Sequence, residues 1–153
     1  MLTIDEAASL RKAFINAAGF SDHALDRPII GRTNTFSDFN PCHGNVPRLI
    51  EAAKRGIMLA GGLPMEFPTV SIHESFSNPT SMFLRNLMAI DTEEMIRAQP
   101  MDAVVLMGGC DKTVPAQLMG AVSADVPAIQ LITGPMLVGH HKGEVLGACT
   151  DCR

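Results

Sequence analysis

The stretch that decides the fold is Met101-Asp102-Ala103-Val104-Val105-Leu106-Met107-Gly108-Gly109-Cys110-Asp111-Lys112-Thr113-Val114-Pro115-Ala116. Its first seven residues are mostly apolar, the pattern of a strand buried on both faces. Two glycines end the run. Thr113 or Val114 then opens a helix, which tolerates Pro115 because the first helical N–H groups have no intrahelical partner. A buried strand feeding a helix is the repeating unit of a parallel α/β sheet. At the turn, a thiol, a carboxylate and an amine stand in consecutive positions. Open α/β sheets place their ligands at such carboxyl ends of strands. Taken alone, the turn also fits a plain strand-to-helix connection, with Asp111 as a helix cap and Lys112 as a surface cation. A phosphate loop is a poor fit: Asp111 precedes the lysine, where a carboxylate repels phosphate, and the leading glycine spacing is absent.

The same alternation extends outward. Thr3 and Glu6 form a capping box, and Ala7, Leu10, Ala13, Phe14 and Ala17 recur at helical spacing, so a helix over 4–18 is expected to pack on the body. A short strand at 28–31 leads into a turn-rich loop, 33–38, at the surface or lining a site. Leu49, Ile50, Ala53, Ile57 and Ala60 place a helix over 46–60, which Gly61 and Gly62 end. A strand over 67–72 carries His73 and Glu74 at its end. Ser77 or Asn78 caps a helix to about residue 89, and Asp91 or Thr92 caps another, with Glu93 and Glu94 in its first turn. A helix to residue 123, a strand over 127–132 and a loop over 134–147 with His140, His141 and Lys142 complete the order. The pattern predicts one α/β domain over 1–153, a doubly wound, mainly parallel sheet flanked by helices. The polar clusters at 33–34, 73–74 and 110–112 then gather along one sheet edge. Cys42, just ahead of the helix at 46, reaches that edge through its loop, where the helix N-terminus favours a thiolate.

Composition narrows the class. The chain has 153 residues, 46% of them hydrophobic, enough for one domain with a real core. A net charge of −4 and the lack of a basic block argue against nucleic acid and anionic membrane as partners. No apolar stretch is long enough to span a bilayer, and the first residues lack a signal core, so a cytoplasmic location is expected. Tyr and Trp are absent, and ten methionines supply adaptable packing volume. Of the four cysteines, Cys149 and Cys152 have Cys-x-x-Cys spacing but no second such pair, so they read as incidental reduced thiols. Cys42 and Cys110 sit among polar residues at element boundaries. Each of His43, His73, His140 and His141 is either a ligand or, more commonly, a surface or hydrogen-bonded histidine.

Asn40-Pro41-Cys42-His43, then His73-Glu74-Ser75, then Gly108-Gly109-Cys110-Asp111-Lys112-Thr113 occur in this order. The order resembles the dihydroxy-acid and sugar-acid dehydratase family, which includes phosphogluconate dehydratase, from about residue 31 to the last residue. Residues 109–116 are its most specific part. The resemblance implies that Cys42 and Cys110 ligate an iron–sulfur cluster, two-iron (2Fe-2S) in most sugar-acid members, with a four-iron (4Fe-4S) cluster as the alternative. It implies that Glu74 and Asp111 bind magnesium, and that a carbamylated Lys112 adds a carboxylate to the same ion. Soft thiolates suit iron–sulfur clusters and carboxylates suit magnesium. An ammonium beside a divalent cation is repelled, so the neutral amine, which can take up carbon dioxide, is favoured there.

The implied reaction is dehydration of a 2,3-dihydroxy acid to a 2-keto acid through an enol. Gly62-Leu63-Pro64-Met65-Glu66-Phe67-Pro68-Thr69 looks more like the members acting on arabinonate or xylonate. The alternative substrate is that of the dihydroxy-acid dehydratase of branched-chain amino-acid synthesis. An alternative of another class is a non-catalytic α/β module that binds a metal or partner through the same edge. The family's third cluster cysteine, a further magnesium glutamate, the serine base and the C-terminal β-barrel domain have no match here. The chain is therefore expected to be the N-terminal part of a longer enzyme, a dimer or tetramer when full length, and inactive alone.

Overall fold

Strands and helices alternate as the apolar periodicity requires: α1 (Ile4–Ala17), β1 (Ile29–Asn34), α2 (Val46–Leu59), β2 (Leu63–Pro68), α3 (Arg85–Ala98), β3 (Ala103–Gly108), α4 (Thr113–Ala124) and β4 (Ala128–Ile132). The computed structural model describes residues 4–21 and 23–147. Thr3 of the expected capping box and the pair Cys149 and Cys152 lie outside them. The four strands form one sheet in the order β2-β1-β3-β4. All neighbours run parallel.

Successive side chains of a strand point to opposite faces. On one face, Val104 and Leu106 of β3 pack with Phe67, Ile96 of α3 and Ala121 of α4. On the other, Val105 and Met107 pack with Val46 and Ile50 of α2. Both faces of β3 are covered, which is why its sequence is a continuous apolar run. Full burial of a side chain such as Leu106 contributes about 1.5–3 kcal/mol. A buried arginine fastens the α2 layer: Arg32 Nη1 donates to the Ile50 carbonyl at 2.8 Å. The α3 and α4 helices touch closely at Gly120, where a Cβ would lie 2.6 Å from the Ala89 carbonyl oxygen.

Several elements differ from expectation. β1 extends to Asn34, so Thr33 and Asn34 are strand residues paired with Phe67 and Pro68, not a loop. β2 spans Leu63–Pro68 rather than 67–72. It stops there because β1, its only ladder partner among the described residues, stops opposite it. Residues 69–73 continue without a ladder, and Glu74–Phe76 form a single 3-10 turn. One helix, α3, replaces the two expected. Asp91 does not cap a helix: its carboxylate accepts the Val70 N–H at 2.7 Å. The expected loop at 134–147 contains a hairpin, β5 (Gly139–His141) with β6 (Glu144–Leu146). Lys142 and Gly143 turn it with φ of 50° and 85°, the positive values a two-residue hairpin turn demands. The apolar side of α1 is not buried on the body: Leu10 is 47% and Phe14 66% exposed. Phe14 and Ile15 instead line an open groove with Leu63, Met65 and Met101. Among the described residues, no helix is long and apolar enough to cross a membrane.

Candidate active site

The site lies where two neighbouring strands part. β1 and β3 are paired only from Ile30↔Ala103 to Arg32↔Val105. Beyond that, side chains replace the ladder. Thr33 Oγ1 accepts the Met107 N–H at 2.6 Å and the Gln117 Nε2–H at 3.1 Å. Thr35 Oγ1 donates to the Met107 carbonyl at 3.0 Å. The chain leaves β1 toward α2 on one face and leaves β3 toward α4 on the other. This is the topological switch point of a doubly wound sheet, where ligands bind.

Cys42 enters this crevice from the β1 side, on a 3-10 turn, Pro41–His43, three residues ahead of α2. The buried Asn40 holds that turn: its Oδ1 accepts the Cys42 N–H at 3.2 Å, and its Nδ2 donates to the Ile72 carbonyl at 3.3 Å. Cys110 enters from the β3 side with φ of 74°, a left-handed conformation that a non-glycine residue adopts at some cost, commonly at functional sites. The two turns are stapled together. Fully buried His43 places Nε2 at 3.0 Å from the Gly109 carbonyl and Nδ1 at 2.7 Å from Ser71 Oγ and 2.9 Å from the Thr35 carbonyl. Burial is the main force lowering its pKa, opposed by the Gly109 and Thr35 carbonyls. Thr133 Oγ1, after β4, donates to the Cys42 carbonyl at 2.6 Å. Gly109 lies so close that a Cβ there would sit 2.1 Å from Thr133 Oγ1 and 3.0 Å from the Cys42 carbonyl oxygen.

The result is a compact donor set. The Cys42 and Cys110 sulfurs and one His73 ring nitrogen all lie within 4.8 Å of one another. Both cysteines are partly buried and free of disulfide. Burial, and then the neighbouring Cys42, push the Cys110 thiol up to about 11. A metal must therefore displace the Cys110 proton to gain that ligand.

A second, harder cluster adjoins the first. Lys112 Nζ lies 2.8 Å from Asp111 Oδ2 and 3.3 Å from Glu74 Oε2. The Lys112 side chain is 11% exposed, while Glu74 is 44% and Asp111 71% exposed. Glu74 is also gripped by Ser81, through its hydroxyl and through its N–H at 3.0 Å. These bonds, led by the Ser81 hydroxyl and joined by Thr80, lower the Glu74 carboxyl to about 2. The Asp111 hydrogen bond, opposed by burial and assisted by Glu74, raises the Lys112 pKa. Asp111 does not cap α4, whose N-cap position is Lys112, without a side-chain cap bond.

All five residues singled out from the sequence, Cys42, Glu74, Cys110, Asp111 and Lys112, thus meet at one edge. His73 joins the thiols. His140 and His141 lie on β5 and belong to no such group among the described residues. The donor chemistry suits two different guests: two thiols for a soft metal centre, and two carboxylates around a cation for a hard ion. The hydrogen-bonded reading of His43 holds, and Thr33 lies at the expected edge, but sequence reasoning did not give His43 its stapling role and missed Ser81 and Thr133. The one signal available for His43 was its position beside Cys42.

Comparison with known proteins identifies the family. Residues 27–152 match the family described as Dihydroxy-acid/6-phosphogluconate dehydratase N-terminal. The L-arabonate dehydratase of Azospirillum brasilense is 49% identical over 97% of this chain and 26% of its own length. The D-xylonate dehydratase of Caulobacter vibrioides is 42% identical over 96% of this chain and 25% of its own. The dihydroxy-acid dehydratase of Pyrococcus abyssi is 37% identical over 91% and 26%. The chain spans about a quarter of the length of the relatives it matches. With the family match covering most of its residues, the chain belongs to the dihydroxy-acid/6-phosphogluconate dehydratase N-terminal family.

Proposed function

We propose that this chain supplies the metal-binding edge of a hydro-lyase that dehydrates a 2,3-dihydroxy acid of the sugar-acid class to a 2-keto-3-deoxy acid. The observation that carries the reading is the meeting of the Cys42 and Cys110 thiols with the Glu74–Lys112–Asp111 trio at one strand-end crevice. The greater identity to arabonate and xylonate dehydratases than to a dihydroxy-acid dehydratase supports the sugar-acid substrate.

In this reading Cys42 and Cys110 hold an iron–sulfur cluster, and Glu74, Asp111 and carbamylated Lys112 hold magnesium. The bound metals supply Lewis acidity toward the departing 3-hydroxyl and charge stabilisation for the substrate carboxylate and 2-hydroxyl. The protein groups do the rest. His43, Asn40 and Thr133 fix the backbones that carry the two cysteines. Ser81 orients the Glu74 carboxylate. Asp111 and Glu74 are the exposed members of the trio. Lys112 must give up one proton to become an amine, and its attack on carbon dioxide releases a second as the carbamate forms.

The test uses the family-length protein that carries these residues, assayed without oxygen on arabinonate, xylonate and 2,3-dihydroxyisovalerate. The expected result is 2-keto acid from the sugar acids, and its loss in Lys112→Arg, because guanidinium keeps its charge and cannot form a carbamate. Absence of 2-keto acid from all three substrates contradicts the reaction. Full activity of the arginine variant removes the carbamate.

A further inference from the structure

We infer that a recess beside the crevice, walled by the loop after β1 and the segment after β2, binds the neutral polyhydroxy tail of the sugar acid, the carbons beyond the reacting C2 and C3. The inference rests on the dehydratase reading and leaves both thiols to the proposed cluster.

The recess has a volume of about 370 Å³ and is open to solvent. Ser37 and Phe39 line it from one side, and Ser71, His73, Phe76 and Ser77 from the other. Its size falls within the range of small-molecule sites, about 300–1,000 Å³. His73 is the wall it shares with the crevice. One nitrogen of that ring lies within 4.8 Å of both the Cys42 and the Cys110 sulfur, and Glu74 follows His73 directly. A substrate whose head sits at those groups therefore has the recess within reach of its remaining carbons. The lining suits a polyol. Ser37 Oγ accepts the Phe39 N–H at 3.2 Å, which leaves its O–H to donate. Ser77 Oγ donates to the His73 carbonyl at 2.8 Å, which leaves its lone pairs to accept. A substrate hydroxyl, donor and acceptor at once, can answer both. The Phe39 and Phe76 rings meet edge to face at 5.9 Å, yet remain 70% and 69% exposed. They offer apolar faces to the C–H groups between the hydroxyls, the mixed lining usual in ligand pockets. The far wall is fixed, because His43 Nδ1 holds Ser71 Oγ at 2.7 Å and Asn40 Nδ2 donates to the Ile72 carbonyl. The lining contains neither lysine nor arginine, so it has no strong partner for a terminal phosphate. A branched-chain dihydroxy acid brings methyl groups in place of tail hydroxyls and would leave both serines unanswered. Sites that hydrogen-bond a substrate hydroxyl reject analogues lacking it for this reason.

The test uses the family-length protein, purified without oxygen. Its substrates are arabinonate and 2,3-dihydroxypentanoate of the same C2 and C3 configuration. The second acid keeps the reacting head and the carbon chain but lacks both tail hydroxyls. The readout is kcat/KM for 2-keto acid formation. The expected result in the parent, which needs no variant, is a preference for arabinonate of at least about tenfold. Ser37→Ala should cut that preference by about threefold or more, the share of one net hydrogen bond. Phe76→Leu, which keeps an apolar wall and loses the ring face, should also cut it. Far-UV circular dichroism and iron content check that each variant is folded and loaded. Equal kcat/KM for the two acids in the parent overturns the inference while leaving the dehydratase reading standing. A preference unchanged in both loaded variants does the same, as does turnover of 6-phosphogluconate as efficient as that of arabinonate. Turnover of none of these acids removes the dehydratase reading and this inference with it.

Discussion

Glu74 shows how neighbouring hydrogen-bond donors set the charge state of a single side chain. The Ser81 hydroxyl, helped by Thr80 and Lys112, holds its carboxyl at about 2, against an ordinary value of 4.5. A folded-state value below the unfolded one gives stability that is complete above the unfolded value and is lost as pH falls through the folded one. We expect Glu74→Gln to be less stable than the parent near neutral pH. The gap should close as the pH falls from 4.5 toward 2. Urea unfolding of both proteins across that range measures it, and a gap independent of pH would show that Glu74 is not held as described. Gly109 makes the complementary point about space. Its missing Cβ is what lets Thr133 and the Cys42 carbonyl close over the crevice. Gly109→Ala should cost about 1–3 kcal/mol by overpacking. An unchanged urea midpoint would mean that the loops part freely.

At the scale of elements, the opening between β1 and β3 depends on side chains that stand in for a ladder. Thr33→Val would leave the Met107 N–H and the Gln117 amide without their shared acceptor, a loss of about 1–3 kcal/mol. Thr33→Ser should retain most of the stability. Equal stability of the valine and serine variants would contradict the bridging role. The same elements show what the sequence makes legible. β3 was readable because a strand covered on both faces must be continuously apolar. β2 was not, because Leu63-Pro64-Met65-Glu66-Phe67-Pro68 carries two prolines, which argue against a central strand. At the sheet edge, where the order β2-β1-β3-β4 puts it, those prolines are tolerated. The α3 helix read as two because Asp91 and Thr92 look like caps. In the fold Asp91 takes the Val70 N–H, and Thr92 donates back to the Met88 carbonyl at 2.9 Å, so tertiary partners absorb both. The five site residues were legible as types in a fixed order. The stapling role of His43 was not, since its three partners come from segments that the chain brings together only on folding.

Over the whole molecule, two surfaces contrast. The crevice edge is polar and stapled, while the β4 side carries exposed apolar residues: Ile129 at 65%, Ile132 at 60% and Val122 at 79%. An apolar edge strand invites association. The chain at rising concentration should therefore self-associate in light scattering, and a monodisperse monomer throughout would contradict this. The central claim, however, is that Cys42 and Cys110 hold one iron–sulfur centre at the β1/β3 switch point. Its most direct test is the iron and acid-labile sulfide content of the family-length protein, purified without oxygen, beside its Cys42→Ser and Cys110→Ser variants. The account predicts that each serine variant loses most of its iron, its sulfide and its visible cluster absorption while keeping its far-UV circular dichroism. Parent-level iron and sulfide in both variants would contradict it.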